Sequence, residues 1–206
     1  MIELLSCALI AASTGADAGG EIVASLQAAT PEARLHAVRV ARSPGAKRDL
    51  FIVDASLPKR MEIAFAFWVV RDQERIILID TGFLSANVSG WRIEDFRSPI
   101  DGLRAIGIDP TRVTDVVVTH SHWDHTGGLW RYENARWWLT EPTLRSLRRR
   151  GATSAPKLKA GLSRADDQGR LRRVSGPRRV TPYLAVIPAG LHTRGFMYAV
   201  MARSDG

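Results

Sequence analysis

Apolar residues recur along the chain in short runs separated by turn residues, a pattern that predicts strands alternating with helices. The runs predict strands at residues 35–40, 51–53, 63–70, 76–79, 113–119, 135–139, 180–188 and 196–202. The charged turn at 71–75 lies between two of these runs and predicts a hairpin. Residues 98–106 predict a helix that ends at Gly107. Alternating strands and helices favour an α/β or mixed layered domain.

The last predicted strand is followed by a turn signal. Asp205-Gly206 is typical of a two-residue hairpin turn, which requires a partner strand after it. No such strand follows in the sequence, and an unpaired apolar strand is an exposed edge prone to association. We therefore expect the natural protein to continue past Gly206.

Basic residues are concentrated in one segment. The chain has 206 residues, of which 45% are hydrophobic, so it can bury one sizeable core. Residues 143–180 contain 12 Lys or Arg against two acids, a local charge of +10, whereas the whole chain has a net charge of +8. This segment has no sustained helical period, which favours a surface insertion. It also lacks the interleaved aromatic residues that stack on bases, so a solvated basic loop is favoured over a nucleic-acid site.

The N-terminal residues suggest a short extension. Residues 4–12 are apolar and Ala16-Asp17-Ala18 resembles a cleavage site, but Glu3 precedes them and no basic residue does. Residues 1–33 are therefore an N-terminal extension or an export signal, and a cytoplasmic location is slightly favoured. No apolar run reaches the roughly 20 residues of a membrane-spanning helix, so we expect a soluble protein. The single cysteine, Cys7, excludes an internal disulfide and a cysteine-based zinc cluster.

Potential metal ligands are concentrated at residues 120–125, His-Ser-His-Trp-Asp-His, directly after a very apolar strand. Packing explains single histidines well, but not three within six residues. In a His-x-His element that leaves a strand, His120 and His122 can point to one side and share a cation. Asp124 and His125 then offer a carboxylate and an imidazole to another. Such ligands suit zinc, and also iron, cobalt or manganese.

Residues 119–128 resemble the His-x-His-x-Asp-His signature of the metallo-β-lactamase superfamily. Asp80-Thr81-Gly82 at a strand end is similar to the family's preceding element. Residues 190–195 resemble its later Gly-x-His-Thr-x-Gly, with Arg194 where the family form has proline. The resemblance implies an α+β fold, the four-layered αββα sandwich, over residues 34–206. It also implies that the C-terminal part of that fold is missing.

The resemblance also assigns roles to individual residues. The first metal is implied to bind His120, His122 and His192; the second is implied to bind Asp124 and His125; Asp80 is implied to orient the cluster from behind. The family's bridging aspartate and final histidine have no convincing match, and Asp205 is not assigned the bridging role. The implied cofactor is zinc, with two ions in the complete protein, although other divalent metals fit the same ligands.

Such a site supports hydrolysis of a small-molecule ester, lactone, thioester or amide. A divalent ion lowers the pKa of bound water from 15.7 toward about 7, and Asp124 can relay the proton. Residues 61–70, 79–83 and 102–109 resemble the N-acyl homoserine lactonase-like group, which implies lactone opening and quorum quenching. Glyoxalase-II-like thioester hydrolysis is the nearest alternative. A nucleic-acid-binding or nuclease-type member, or a non-catalytic metal-binding fragment, is a further one, and the oligomeric state stays open.

Overall fold

The computed structural model describes residues 2–4, 16–27, 33–48, 56, 58–86, 88, 90–149, 156–190 and 192–202. Its strands are β1 (Ile2–Leu4), β2 (Arg34–Lys47), β3 (Arg60–Arg71), β4 (Ile76–Ile79), β5 (Asp115–Val117), β6 (Arg136–Thr140), β7 (Leu171–Val174), β8 (Arg178–Thr181), β9 (Leu184–Pro188) and β10 (Met197–Ala202). Its helices are α1 (Ala16–Ala24), α2 (Pro99–Ala105), α3 (Trp123–Thr126), α4 (Glu141–Arg149) and α5 (Pro156–Asp167), with 3₁₀ turns at Pro110–Arg112 and Leu129–Arg131.

The strands form two sheets. A six-stranded sheet has the order β2-β3-β4-β5-β6-β7, and a four-stranded sheet has the order β1-β10-β9-β8. In the larger sheet β2, β3 and β4 are antiparallel, whereas β4 to β7 run parallel. The four-stranded sheet is antiparallel throughout. The ends of β4 and β5 therefore meet at one edge of the larger sheet.

Apolar side chains divide the domain into layers. One face of the larger sheet packs against α2, α4 and α5, in a core that includes Phe67 and Leu144. Its other face packs on the smaller sheet, through side chains such as Ile79 and Val186. Helix α1 lies on the outer side of the smaller sheet, close to Ile187 of β9. The order is helix, sheet, sheet, helix, which confirms the predicted αββα sandwich.

Local chemistry sets the bounds of α2, which the sequence pattern predicts to within a residue or two. The side chain of Ser98 accepts a hydrogen bond from the amide of Asp101 at 3.2 Å and caps the helix, and Pro99 follows as its first residue. Gly107 comes just after the helix with a φ of +71°, a conformation that glycine adopts without strain.

The structure corrects the expectation of a surface insertion at 143–180. Helices α4 and α5 and strands β7 and β8 all lie within this segment or overlap it. Leu144, Leu147 and Leu162 are at most 1% exposed and belong to the main core. Helices α4 and α5 each have buried apolar residues three or four positions apart. Basic residues flank these positions, and the apolar repeat does not continue from one helix to the next. The predicted loop is wrong because a short apolar stripe is enough to bury one face of a helix.

The expectation of an unpaired last strand is also wrong. Strand β10 pairs with β9 on one side and with β1 on the other, where Glu3 lies opposite Met201. A three-residue strand carries too short a pattern to be distinguished from an apolar tail. The domain boundary predicted at residue 34 stays a prediction, although β1 and α1, which precede it, both pack on the smaller sheet.

Some predictions concern residues outside the described ranges. These are the strand at 51–53, Cys7, most of the apolar run 4–12, and Asp205-Gly206. Among the helices that the structure does describe, none has both the length and the apolar character needed to cross a membrane.

Candidate metal centre

The predicted ligands meet where the two sheets come together. Asp80 follows β4 directly, and its amide donates to the carbonyl of Val117, the last residue of β5, at 2.8 Å. Thr119 lies two residues further on. Its carbonyl accepts a hydrogen bond from the amide of Met197, the first residue of β10, at 2.9 Å. Loops from both sheets therefore reach the same place.

Asp80 is the buried acceptor at the base of this site. Its Oδ1 accepts from the amide of Thr119 at 2.8 Å, and its Oδ2 accepts from the Thr119 hydroxyl at 2.7 Å. Oδ2 also lies 2.6 Å from Nδ1 of His125. The residue has a φ of +66°, a left-handed conformation that aspartate tolerates better than most residues. The strand end thus turns sharply and presents the carboxylate to His125.

Three histidines converge above this base. Nε2 of His120 lies 3.0 Å from Nδ1 of His122, and Nε2 of His192 lies 3.1 Å from the same atom. One nitrogen of each ring lies within 4.8 Å of the others. His120 is buried, whereas His122 and His192 are exposed. The site therefore opens to solvent on the side of the latter two.

Asp124 and His125 lie beside the three histidines, on the single turn of α3. Nε2 of His125 is 3.3 Å from Oδ2 of Asp124, and its ring centroid is 4.0 Å from that of His120. The carbonyl of His125 accepts from both the amide and the hydroxyl of Thr81, at 2.8 and 2.9 Å. These bonds fix α3 against the loop after β4. The structure thus brings together all six residues that the sequence selects.

Burial and neighbouring charges shift the pKa values of His120, His125 and Asp124 in different directions. Burial and the positive charge of the neighbouring histidines lower the pKa of His120 to about 2, so it stays neutral at physiological pH. Burial opposes the charged form of His125, but the charge of Asp80 and hydrogen bonds to Asp124 and Asp80 outweigh it and raise the pKa to about 10. Burial also disfavours ionised Asp124, yet its hydrogen bond to His125 leaves its pKa lowered.

The loop that carries His192 is held by polar contacts from the end of β6 and the first turn of α4. The carbonyl of Gly195 accepts from the hydroxyls of Thr140 and Thr143, at 2.8 and 3.1 Å. Phe196 then packs with its ring centroid 5.8 Å from His120 and 5.9 Å from His192. The position of His192 is therefore set by packing as well as by the chain.

This donor set fits a divalent transition metal. Imidazole nitrogens are preferred ligands of zinc, and the three nearest here come from two loops on different sheets. Nε2 of His120 and Nε2 of His192 both approach Nδ1 of His122. When Nδ1 carries no proton, its single lone pair accepts only one hydrogen bond well. A cation shared by all three nitrogens would satisfy them together.

Comparisons with known proteins identify the fold. Residues 66–145, which include the histidine run, match the family model described as Metallo-beta-lactamase superfamily. A crystal structure of a probable metal-dependent hydrolase from Staphylococcus aureus matches 84% of this chain and 70% of its own, with a TM-score of 0.67 at 15% identity. The chain has the metallo-β-lactamase fold. The predicted resemblance to this superfamily is confirmed.

Other similar solved structures are described by a bound homoserine derivative or as a lactonase. A mutant of B. thuringiensis AiiA, with N-decanoyl-L-homoserine bound at the active site, is 16% identical, with a TM-score of 0.63 over 82% of this chain and 70% of its own. AidC, described as a dizinc quorum-quenching lactonase, is 16% identical, with a TM-score of 0.59 over 88% and 71%. No curated protein sequence matches the chain. At these identities the similarity shows the fold alone.

Two residues of this candidate site were not selected from the sequence. Thr119 bonds to Asp80 through its amide and hydroxyl, and its Oγ1 lies 3.0 Å from Nδ1 of His120. It thereby connects the base of the site to the first histidine. Thr81 fixes the carbonyl of His125. The available signal was the position of each threonine directly beside a predicted site residue.

Five aromatic residues form a cluster next to the candidate metal centre. Its members, called the aromatic cluster below, are Phe65, Phe83, Trp91, Phe96 and Trp123. Trp123 stands between His122 and Asp124 in the chain and packs at 4.9 Å from Phe83. Trp123 therefore connects the aromatic cluster to the turn that carries Asp124 and His125.

Close backbone packing makes Gly128 sensitive to substitution. A Cβ at this position would lie 2.7 Å from the carbonyl oxygen of Thr81, whose amide is bonded to His125. We expect Gly128→Ala to reduce the free energy of unfolding by about 2 kcal/mol, which lowers the melting temperature by about 6 °C. Gly176→Ala is the control, since a Cβ there meets nothing within 4 Å. Equal melting temperatures of the two variants would contradict the packing.

Proposed function

We propose that the protein is a zinc-dependent hydrolase that opens a lactone or another small ester. The convergence of His120, His122 and His192 carries this proposal, because three imidazoles from two separate loops within 4.8 Å form the donor set of a hydrolytic zinc ion. The fold and the lactonases among the structural neighbours support it. Asp124 and His125 would contribute to a second ion, and Asp80 would orient them.

A divalent ion held there would supply a Lewis acid that polarises a carbonyl group and makes water nucleophilic near neutral pH. The protein's own groups would prepare the site for this chemistry. His120 is neutral and would hold the ion through Nε2, because its Nδ1 faces the Thr119 hydroxyl. Asp124 is ionised and keeps part of its side chain accessible to solvent, so its carboxylate can accept a proton from the attacking water.

The two candidate metal positions should differ in their affinity for zinc. Asp124 and His125 offer two donors, which is fewer than the four ligands typical of zinc. The three histidines require only one further ligand, and water or substrate can supply it. We therefore propose that the chain takes up its first ion, at the three histidines, more tightly than a second.

The test combines metal content with turnover. Purified protein would be loaded with zinc, exchanged into metal-free buffer, and supplied with an N-acyl homoserine lactone, a glutathione thioester and a fluorescent RNA. Zinc-dependent lactone hydrolysis supports the proposal, whereas faster thioester hydrolysis selects the glyoxalase-II-like alternative. Tight, steeply salt-dependent RNA binding would favour a nuclease-type member. Protein that retains no zinc would contradict all of these.

A further inference from the structure

One arginine is surrounded by three carboxylates at the edge of the larger sheet. Arg42 of β2 places its guanidinium nitrogens 2.6 Å from Asp95, 2.7 Å from Glu62 and 2.6 Å from Glu94. We call these four residues the carboxylate clamp. Glu94 also pairs with Arg92 at 2.6 Å. One guanidinium thus joins β2, β3 and the segment before α2.

The backbone reinforces the carboxylate clamp. Arg42 and Glu94 exchange two backbone hydrogen bonds at 2.9 Å, and the amide of Arg97 donates to the carbonyl of Val40 at 2.7 Å. Residues 90–98 therefore lie against β2 as an added edge. Asp95 has a φ of +52°, which turns the segment between these two attachments. A non-glycine residue keeps that conformation only where its surroundings hold it.

The segment held in this way delivers two members of the aromatic cluster. Trp91 packs edge-on against Phe65 at 5.3 Å and lies 6.2 Å from Trp123. Phe96 packs on Phe83 at 5.6 Å. Trp123 is the residue between two proposed metal ligands, so the carboxylate clamp connects through Trp91 to a residue that adjoins the site.

We propose that Arg42 is a positioning residue that sets the site's selectivity for substrates with a long apolar chain, by holding Trp91 against Trp123. This inference rests on the proposed hydrolase function. Exposed ion pairs contribute little stability singly, so the main effect of the carboxylate clamp is on the position of Trp91. A guanidinium presents several N–H donors in one fixed plane, and a lysine cannot reproduce contacts to three carboxylates.

The test compares two ring-opened acids that differ only in chain length. N-decanoyl-L-homoserine and N-butyryl-L-homoserine would be titrated into zinc-loaded protein by calorimetry, and the two lactones would be used for kcat and KM. We expect the wild type to prefer the decanoyl acid. Arg42→Met and Trp91→Ala should each reduce that preference by about tenfold, through KM and with unchanged zinc content. Arg42→Lys should restore part of it.

Two control variants distinguish a specific effect on the position of Trp91 from a general loss of stability. Arg164→Met removes an exposed ion pair of similar length, 2.8 Å to Glu133, and Trp130→Ala removes a partly buried indole outside the aromatic cluster. Both should keep the chain-length preference. If Arg42→Met does not fold, Asp95→Asn tests the same contact while keeping a residue that tolerates a positive φ.

The outcomes distinguish this inference from the proposed function. An unchanged preference in Arg42→Met and Trp91→Ala would overturn the inference even if lactones are hydrolysed. An equal loss in the two control variants, or no decanoyl preference in the wild type, would overturn it as well. If no lactone is hydrolysed but decanoyl binding still depends on Arg42 and Trp91, the proposed reaction fails and the positioning role stands.

Discussion

We expect His120→Ala to abolish zinc retention and hydrolysis together. The substitution removes the buried member of the three converging histidines and leaves two exposed imidazoles to hold the ion. Loss of an outer partner of a metal ligand already weakens affinity by about 10–100-fold, so loss of a ligand should cost at least about a hundredfold. Bound zinc, measured by mass spectrometry after exchange into metal-free buffer, should fall to near zero.

His36→Ala is the matched control for this prediction. Four of the five histidines lie in the candidate metal centre, and His36 is the remaining one. It is partly buried on β2, where it lies opposite Val69 of β3. Its removal should leave zinc content at the wild-type value. Wild-type zinc content in His120→Ala, or equal loss in both variants, would show that the three histidines are not the metal site.

The residues of the candidate metal centre could be selected from the sequence because most of them lie close together in the chain. His120, His122, Asp124 and His125 lie within six residues, and Asp80 is the first residue after an apolar strand. The carboxyl ends of neighbouring parallel strands meet at one edge of a sheet, so these two short segments had to approach one another. The likeness of residues 190–195 to a family motif then selects His192.

Features that depend on distant pairing could not be predicted in this way. Arg42 contacts Glu62 across a hairpin and Asp95 across 53 positions, and nothing in the pattern around Arg42 marks it. The pairing of β1 with β10 joins the two ends of the sequence. In both cases the partners are selected by tertiary packing, while each segment by itself has only a weak preference.

For the basic segment at residues 143–180, the sequence pattern did not reveal which charges are paired. Its charge suggested a solvated loop, yet the structure pairs part of that charge internally. Arg148 and Arg173 both contact Asp166 at 2.8 Å, and Arg173 also reaches Glu141. Charge density along the chain therefore overstates the charge available to a partner, because it does not show which cations lie beside acids.

Asp80→Ala should affect both the fold and the metal centre. Removal of the carboxylate leaves the amide and hydroxyl of Thr119 and Nδ1 of His125 without their acceptor in a buried site. Each unsatisfied donor costs about 1–3 kcal/mol, and alanine at a φ of +66° adds about 1 kcal/mol. We expect the free energy of unfolding to fall by about 4 kcal/mol and the melting temperature by about 12 °C.

A comparison of three substitutions at Asp80 distinguishes the loss of hydrogen bonds from the backbone strain. Asp80→Gly removes the same hydrogen bonds but relieves the backbone, so it should be more stable than Asp80→Ala by about 1 kcal/mol. Asp80→Asn keeps one acceptor oxygen and a tolerated φ, and should be the most stable of the three. It nevertheless loses the charge that orients His125, so its affinity for a second zinc ion should fall by about 10–100-fold. Equal stability of the alanine and asparagine variants, measured by chemical denaturation, would mean that the hydrogen bonds of Asp80 do not hold this site together.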